Sequence, residues 1–501
     1  MHLLTTRRMA WLGALLFTIL FYQQRPGLNL IIFESVFLWW LFRSTNRTPL
    51  SLTSKWVLIC HVLTMFGVVL SNSIMALMIN VVLTAMLPAV FLHPKARSLA
   101  SLAAIGVYSG FHAPIRFMKE KSSKFSLFYW MWKLRFLMIP IFIVLFFLII
   151  YTNANAVFGD VVEKSLDKFF NGLNYIFEEV DSTIFMVAIF GLFVSIVLLF
   201  RSLNQKWADR DQEAQEVLLR KRSKRKNWFG SINGLKTEYK AAVFLLVTLN
   251  LMIALLNSID ISQIWFGFAW RGENFAEMVH EGTALLILSI LISIGIVLFY
   301  FRKNLHFYPG NVWLKRLSYL WIAQNGILLV SVFLRNYHYC KVFSLAEKRI
   351  GVFIFLIIVV FGLWTVYRKV KHNLTAYYLF RMNSLCILMV LTMSSLVPWD
   401  IVIAQFNFSR SGKAFVYLEH MESLSDKALP YIDKNIAELE HITQSQYDQF
   451  SFREKFMSTE EYVVRINTRK LEFIQRWEES GVFSWNLAEY LAYRELKSKG
   501  L

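Results

Sequence analysis

A histidine, two carboxylates and two arginines flank apolar segments in the second half of this chain, and they are the residues best placed for chemistry. His280-Glu281 opens one apolar segment and Arg335-Asn336-Tyr337 closes the next. Arg349 leads into a third after Glu347 and Lys348, and Trp399-Asp400 closes the last. Ionisable groups at the edge of hydrocarbon are costly unless paired or solvated, so they mark candidate sites. Pairing Asp400 or Glu281 with Arg335 or Arg349 would build a closed polar pocket in which His280 titrates near neutral pH. The same residues would serve equally well as helix caps and headgroup contacts.

Familiar catalytic signatures do not extend this set. His280-Glu281 has no second histidine four residues after the first, so the zinc-protease helix is missing. The chain has no glycine-rich phosphate loop and no serine between glycines to form a nucleophile elbow. Cys60 and Cys386 fall inside apolar segments and Cys340 in a short connection, with no spacing that suggests a disulfide framework or a thiolate metal site. No catalytic residue, cofactor or metal is therefore expected. Within the apolar segments, Glu34 is the one carboxylate near mid-segment. Asn80, Asn250, Asn257, Gln324, Asn325 and Asn383 read as interhelical hydrogen-bonding residues.

The elements that position these residues are membrane spans. About eleven apolar stretches are predicted, near 9–22, 28–42, 56–70, 73–92, 134–152, 182–200, 241–259, 282–301, 316–333, 350–367 and 379–397. The first three are short for a bilayer that needs about 20 helical residues. The connections alternate in charge: one side holds 32 Lys and Arg, the other 8 before the C-terminal segment. A basic excess marks the cytoplasmic side. The N-terminus and the 201–240 loop are thus expected in the cytoplasm, and everything after residue 397 outside, which in a bacterial inner membrane is the periplasm.

Composition agrees. The chain of 501 residues is 56% hydrophobic with a net charge of +19, whereas a soluble protein is about 45–50% apolar. Residues 1–397 carry a balance of +22 and residues 398–501 a balance of −3. The basicity thus sits in the membrane part, and no nucleic-acid recognition module accompanies it. The run Arg220, Lys221, Arg222, Lys224, Arg225 and Lys226 is the densest cluster. It reads as a topology anchor in contact with anionic headgroups, or as a dock for an acidic partner.

Two connections have structure of their own. Residues 158–180 form an amphipathic pattern with Asp160 at the N-cap position, and Asp209–Arg220 reads as helical. The segment after residue 397 has aliphatic and aromatic residues at helical spacing, which suggests a small helical extracytoplasmic domain. The expected fold is all-α: a polytopic transmembrane bundle divided into 1–240, 241–397 and 398–501.

Several short runs carry a family resemblance. These are Val279-His280-Glu281-Gly282, Trp321-Ile322-Ala323-Gln324-Asn325, Arg335-Asn336-Tyr337 and Lys348-Arg349-Ile350-Gly351-Val352-Phe353. Trp399-Asp400 with Ala404 and Asn407, and Leu424-Ser425-Asp426 with Ala428-Leu429-Pro430, complete them. Together they resemble an uncharacterised bacterial polytopic membrane family, domain of unknown function forty-one seventy-three, over roughly residues 240–440. The resemblance implies a membrane fold and no mechanism. Three function classes follow, led by a structural or interaction component of the cell envelope with protein partners there. A transporter or lipid-handling protein is second, and an outer-leaflet enzyme using the His280, Glu281, Arg335 and Asp400 group is third.

Overall fold

A computed structural model describes residues 2–45, 48–119, 144, 148, 152, 156–176, 182–220, 234–266, 275–301, 304–449 and 457–499. The described chain is helical, with a single isolated β-bridge between Val217 and Leu374. The helices are α1 (His2–Phe21), α2 (Leu28–Ser44), α3 (Leu52–Ser71), α4 (Ile74–Leu92), α5 (Leu99–Lys119), α6 (Ala156–Ile176), α7 (Ser182–Leu199) and α8 (Gln205–Glu213). They continue with α9 (Gly234–Asp260), α10 (Phe275–Tyr300), α11 (Val312–Phe343), α12 (Glu347–His372) and α13 (Ala376–Ser395). The C-terminal segment adds α14 (Trp399–Ser409), α15 (Leu418–Ser423), α16 (Leu429–Ile432), α17 (Ile436–Gln449), α18 (Thr459–Glu479) and α19 (Leu487–Ser498).

Seven helices among the described residues are long and apolar enough to cross a membrane: α3, α4, α7, α9 with its π-turn Ile261–Trp265, α11, α12 and α13. This is a multi-pass membrane protein. Seven is fewer than the eleven spans expected. The second expected span forms a helix of only 17 residues. In α10, a helix of 26 residues, the described side chains run from Leu286 to Tyr300 and form an apolar stretch. The stretch 134–152 lies almost wholly outside the described residues.

Local sequence explains where the helices stop and turn. Ser51 and Ser73 cap α3 and α4 by accepting from the backbone N–H of Ser54 and Ala76. Asn72 and Asn373 end α3 and α12 in the left-handed conformation, with φ of 43° and 56°. Thr375 then caps α13 through the N–H of Tyr378. The result is two tight helical hairpins, α3–α4 and α12–α13.

The helices pack around three apolar cores. The first joins α1–α5, α7 and α8, and the second joins α9–α13. Helix α13 serves both, with Leu379 in the second core and Leu388 in the first. Three of the intramembrane amides link α9 to α11, whereas Asn325 donates to the Trp321 carbonyl of its own helix. Asn250 and Asn257 donate to the carbonyls of Leu317 and Gln324 at 3.2 and 3.1 Å, and Gln324 donates to Asn250 Oδ1 at 2.7 Å. The third core lies beyond the spans, where Ile350, Ile403, Leu429, Tyr462, Phe473 and Leu496 pack together.

Connections gather on two opposite faces. On the basic face, Arg97 and Ser98 meet Asp211, and Arg201 meets Ser44 and Thr45. Residues 216–218 exchange backbone hydrogen bonds with 373–375. Helix α5, which the hydropathy pattern did not single out, lies across this face. Ser98 at its start meets Asp211, Ser109 accepts from the N–H of Ser202, and Arg7 donates to the carbonyl of Phe117 near its end.

On the other face, the C-terminal segment covers three turns. The N–H groups of Arg25 and Leu28 donate to Ser484 Oγ and the Trp485 carbonyl, at 2.9 and 3.1 Å. A Cβ at Gly27 would stand 2.6 Å from the Ser484 carbonyl oxygen, so this approach needs glycine. Asn72 donates to Glu489, and the N–H of Phe415 donates to the Val342 carbonyl.

Other sequence expectations shift. Cys340 is buried within α11 rather than in a connection. The helix in the 201–240 loop ends at Glu213, because residues 214–220 run extended along the α12–α13 turn. Asp160 lies inside α6 rather than capping it, since the helix begins at Ala156; residues 177–180 fall outside the described residues.

Candidate functional site

A buried polar group centred on Glu34 lies between α2, α3 and α4. In α2, Leu30, Phe33, Phe37 and Leu41 recur at spacings of three and four and form the buried stripe. Glu34 lies in that stripe, so helix periodicity carries its carboxylate inward, where it is 6% exposed. His61 occupies the middle of α3 and is fully buried, with Thr64 one turn on. Asn80 and Thr84 come from α4 at a spacing of four.

The five side chains form one network. His61 Nε2 lies 3.3 Å from Glu34 Oε2 and 3.0 Å from Thr84 Oγ1. Thr84 donates to Glu34 Oε1 at 2.8 Å, and Asn80 Nδ2 donates to Glu34 Oε2 at 2.9 Å. Thr64 donates to the His61 carbonyl at 2.9 Å. Because the Thr84 hydroxyl gives its proton to Glu34, it accepts from His61, and Nε2 carries a hydrogen. His61 Nδ1 and Asn80 Oδ1 are buried without a hydrogen-bond partner. With one further shared proton the pair is electrically neutral, either as carboxylic acid and imidazole or as carboxylate and imidazolium. Thr84 bridges the two. Such an arrangement can take up, hold and pass a proton, and its free Nδ1 and amide oxygen can accept hydrogen bonds. Sequence reading had singled out Glu34 and Asn80 but not His61, although a histidine at the midpoint of an apolar helix is itself a signal.

The residues expected to converge beyond the C-terminal spans have separate partners. Arg335 donates to Asp260 Oδ1 at 2.5 Å, linking α11 to the end of α9 beside the π-turn. Asp400 pairs with Lys427 at 3.1 Å and accepts from Ser425. Arg349 donates to the carbonyls of Phe343 and Ser344 and stacks over Tyr339, while Asn336 donates to the Arg349 carbonyl. Trp399 donates to the Ser394 carbonyl at 2.9 Å, and Tyr337 is exposed beside Lys341. The pairing of Asp400 with Arg335 or Arg349 is thus replaced by closer partners, Lys427 and Asp260, which sequence spacing did not reveal. His280 and Glu281 fall in α10, with their side chains outside the described residues.

On the basic face, Asp211 is the organising carboxylate. It accepts from the Arg97 N–H and Ser98 Oγ at 2.6 Å each, and from Tyr377 OH at 2.9 Å, with His93 at 3.7 Å. Burial alone would raise its pKa, but the hydrogen bonds from His93, Ser98, Arg97 and Tyr377 outweigh this and hold it at about 2. Arg220 is exposed, and Lys221, Arg222, Lys224, Arg225 and Lys226 lie outside the described residues. Among the described residues, no group of three or more His, Cys, Asp or Glu side chains is arranged to hold a metal ion.

Residues 49–435 match the family described as Domain of unknown function (DUF4153). The chain belongs to the DUF4153 family. This is the kind of family that the resemblance pointed to, under a different number and over a longer stretch, since the match takes in α3 and α4. Of the buried cluster in this DUF4153 protein, His61, Thr64, Asn80 and Thr84 lie inside the matched region and Glu34 outside it. Helices α17–α19 lie beyond its end. No curated protein and no solved structure matches the chain.

Proposed function

We propose that this DUF4153 protein is a membrane carrier that couples movement of a polar solute to a proton held by Glu34 and His61. One observation carries the reading: a carboxylate and an imidazole 3.3 Å apart, both buried between membrane helices. Such groups are expensive in hydrocarbon and are kept where they serve ion or proton movement. A fixed structural contact at this place would be cheaper with apolar side chains of similar volume. In this reading the basic face is cytoplasmic, and α14–α19 form an extracytoplasmic domain on a bundle in which α1, α2 and α10 also insert. The alternating Lys and Arg content supports that orientation. Arg335 and Asp400 have separate partners, so the carrier reading is preferred to an outer-leaflet enzyme.

The test is proton flux in proteoliposomes containing a trapped pH dye and driven by a potassium diffusion potential. Flux that is lost in Glu34→Gln, with the variant still monodisperse, is the expected result. No flux above empty liposomes, or equal flux in Glu34→Gln, would refute the proposal.

An assembly role in the cell envelope is the second reading. Val464 and Leu471 stand 64% and 60% exposed, seven residues apart on one face of α18. A partner that covers this stripe would protect Cys substitutions at both positions from labelling in cells but not in purified protein.

A further inference from the structure

The surface between α11 and α12 stands out, away from the Glu34 cluster. A groove of about 400 Å³ opens there, lined by Ile322, Gly326, Leu329 and Val330 of α11 and by Val360, Leu363, Trp364 and Tyr367 of α12. Its size lies within the roughly 300–1,000 Å³ typical of small-molecule sites. The lining is almost entirely apolar. Gly326 makes the floor, and a Cβ built on it would meet nothing within 4 Å.

The groove has direction. From Ile322 to Val330 it extends about 12 Å along α11 at 1.5 Å per residue. One leaflet's chains occupy about 15 Å, half of the hydrocarbon core. Its end near the basic face is marked by Trp364 and Tyr367, and each carries a cation. The Arg368 guanidinium lies 5.3 Å from the Trp364 ring centroid, and Lys371 Nζ 5.6 Å from that of Tyr367. Neither cation is in an ion pair among the described residues, and Arg368 Nε is buried without a hydrogen-bond partner. Aromatic rings with cations just beyond them match the boundary between acyl chains and headgroups.

We propose that this groove holds one acyl chain of an anionic phospholipid, with its phosphate on Arg368 and Lys371. A neutral chain or a neighbouring apolar helix would use the groove but leave both cations unanswered. The charge complementarity therefore selects an acidic lipid. The site requires only that α11 and α12 are embedded in a bilayer, so it stands apart from the carrier reading.

The experiment uses the full chain, delipidated in a mild detergent, with thermal unfolding followed against added lipid. Phosphatidylglycerol should raise the midpoint by several degrees more than phosphatidylcholine of the same chain length. Gly326→Leu fills open space on a helix and should remove the phosphatidylglycerol increment without lowering the lipid-free midpoint. Arg368→Gln should make the two lipids equivalent. Equal stabilisation of the native chain by both lipids, or an undiminished increment in Gly326→Leu, would overturn the proposal. So would an equal shift from inorganic phosphate, or a cross-link from Gly326→Cys to a second copy of the chain.

Discussion

Lys427 is the residue on which docking of the C-terminal segment can be tested most sharply. Its side chain is 7% exposed, and its ammonium donates to the carbonyls of Ser71 and Asn72 at 3.1 Å each while pairing with Asp400 at 3.1 Å. It caps the carboxyl end of α3, a favourable place for a cation, from a segment more than 350 residues away. Lys427→Met keeps the length and removes the charge. The buried Ser71 carbonyl and the part-buried Asn72 carbonyl lose this donor, and Asp400 keeps only Ser425. Breaking a buried pair costs about 3–5 kcal/mol. The Asp400 side chain is 22% exposed, so water offsets part of this and about 2–3 kcal/mol is expected. At about 2–4 °C per kcal/mol for large domains, the melting midpoint in detergent should fall by about 4–12 °C. Arg465→Met provides the control. It breaks an i,i+4 pair with Glu461, with side chains 51% and 49% exposed, and should shift stability by no more than about 0.5 kcal/mol. Brief proteolysis should also cut α17–α19 faster in the Lys427 variant. If the two variants melt together, the segment is not held by this contact and the argument fails.

Arg335→Ala leaves Asp260 buried and unpaired, so a loss of about 3–5 kcal/mol is expected, measured by thermal unfolding. Combining it with Asp260→Asn should recover a large part of that loss, and purely additive effects would show that the two do not interact. Asp211→Asn should destabilise by about 2–3 kcal/mol, because charge-assisted hydrogen bonds from Ser98 and the Arg97 N–H are lost; Glu213→Gln, exposed on the same helix, is the comparison. Burial, the nearby Lys315 and then Lys369 hold His306 down at about 4 from 6.5, against the Asn373 amide oxygen, whose nearness favours the charged form. The unfolded chain takes up this proton first, so stability is full above pH 6.5 and declines as pH falls towards 4, by up to about 3 kcal/mol. Asp211, held at about 2 from 3.8, contributes above pH 3.8 and loses its share only as pH falls through 2. A melting profile flat from pH 7 to 4 would contradict the His306 account, and His306→Phe should flatten the native one.

What the sequence made legible is whatever depends on local period and composition. The helices α3, α4, α7, α9 and α11–α13 follow from apolar runs, and α18 and α19 from aromatic residues at helical spacing. The break between α3 and α4 follows from the gap between the apolar runs 56–70 and 73–92. Partners across helices were not legible, because spacing along the chain says nothing about azimuth on a neighbour. Glu34 showed itself as a mid-segment carboxylate, but its link to His61 and Thr84 depends on how α2, α3 and α4 face one another. Arg335 likewise could be paired only by side of the membrane, and Asp260 lies on that side too. Helix α5 escaped notice because Gly106, Gly110, Pro114 and Arg116 break its apolar character. It lies across helix ends, where a mixed surface is appropriate.

The seam between Gln24–Asn29 and Ser484–Glu489 bears on the order in which the molecule is made. Ser484 receives the N–H of Arg25 from 459 positions earlier and donates to Gln24 Oε1 at 2.8 Å. The turn after α1 therefore leaves the ribosome long before the residues that seal it, and spends that interval with Arg25 and Leu28 donors bonded to water. Closing so distant a contact is slow, because the entropy of the intervening loop is lost before any contact rewards it. The first-born bundle consequently waits in an unfinished state for the last helices to arrive. A break in the peptide chain between residues 410 and 480 would leave this seam held by packing and hydrogen bonds alone, and with it the turns that α1 and α3 acquired at the outset.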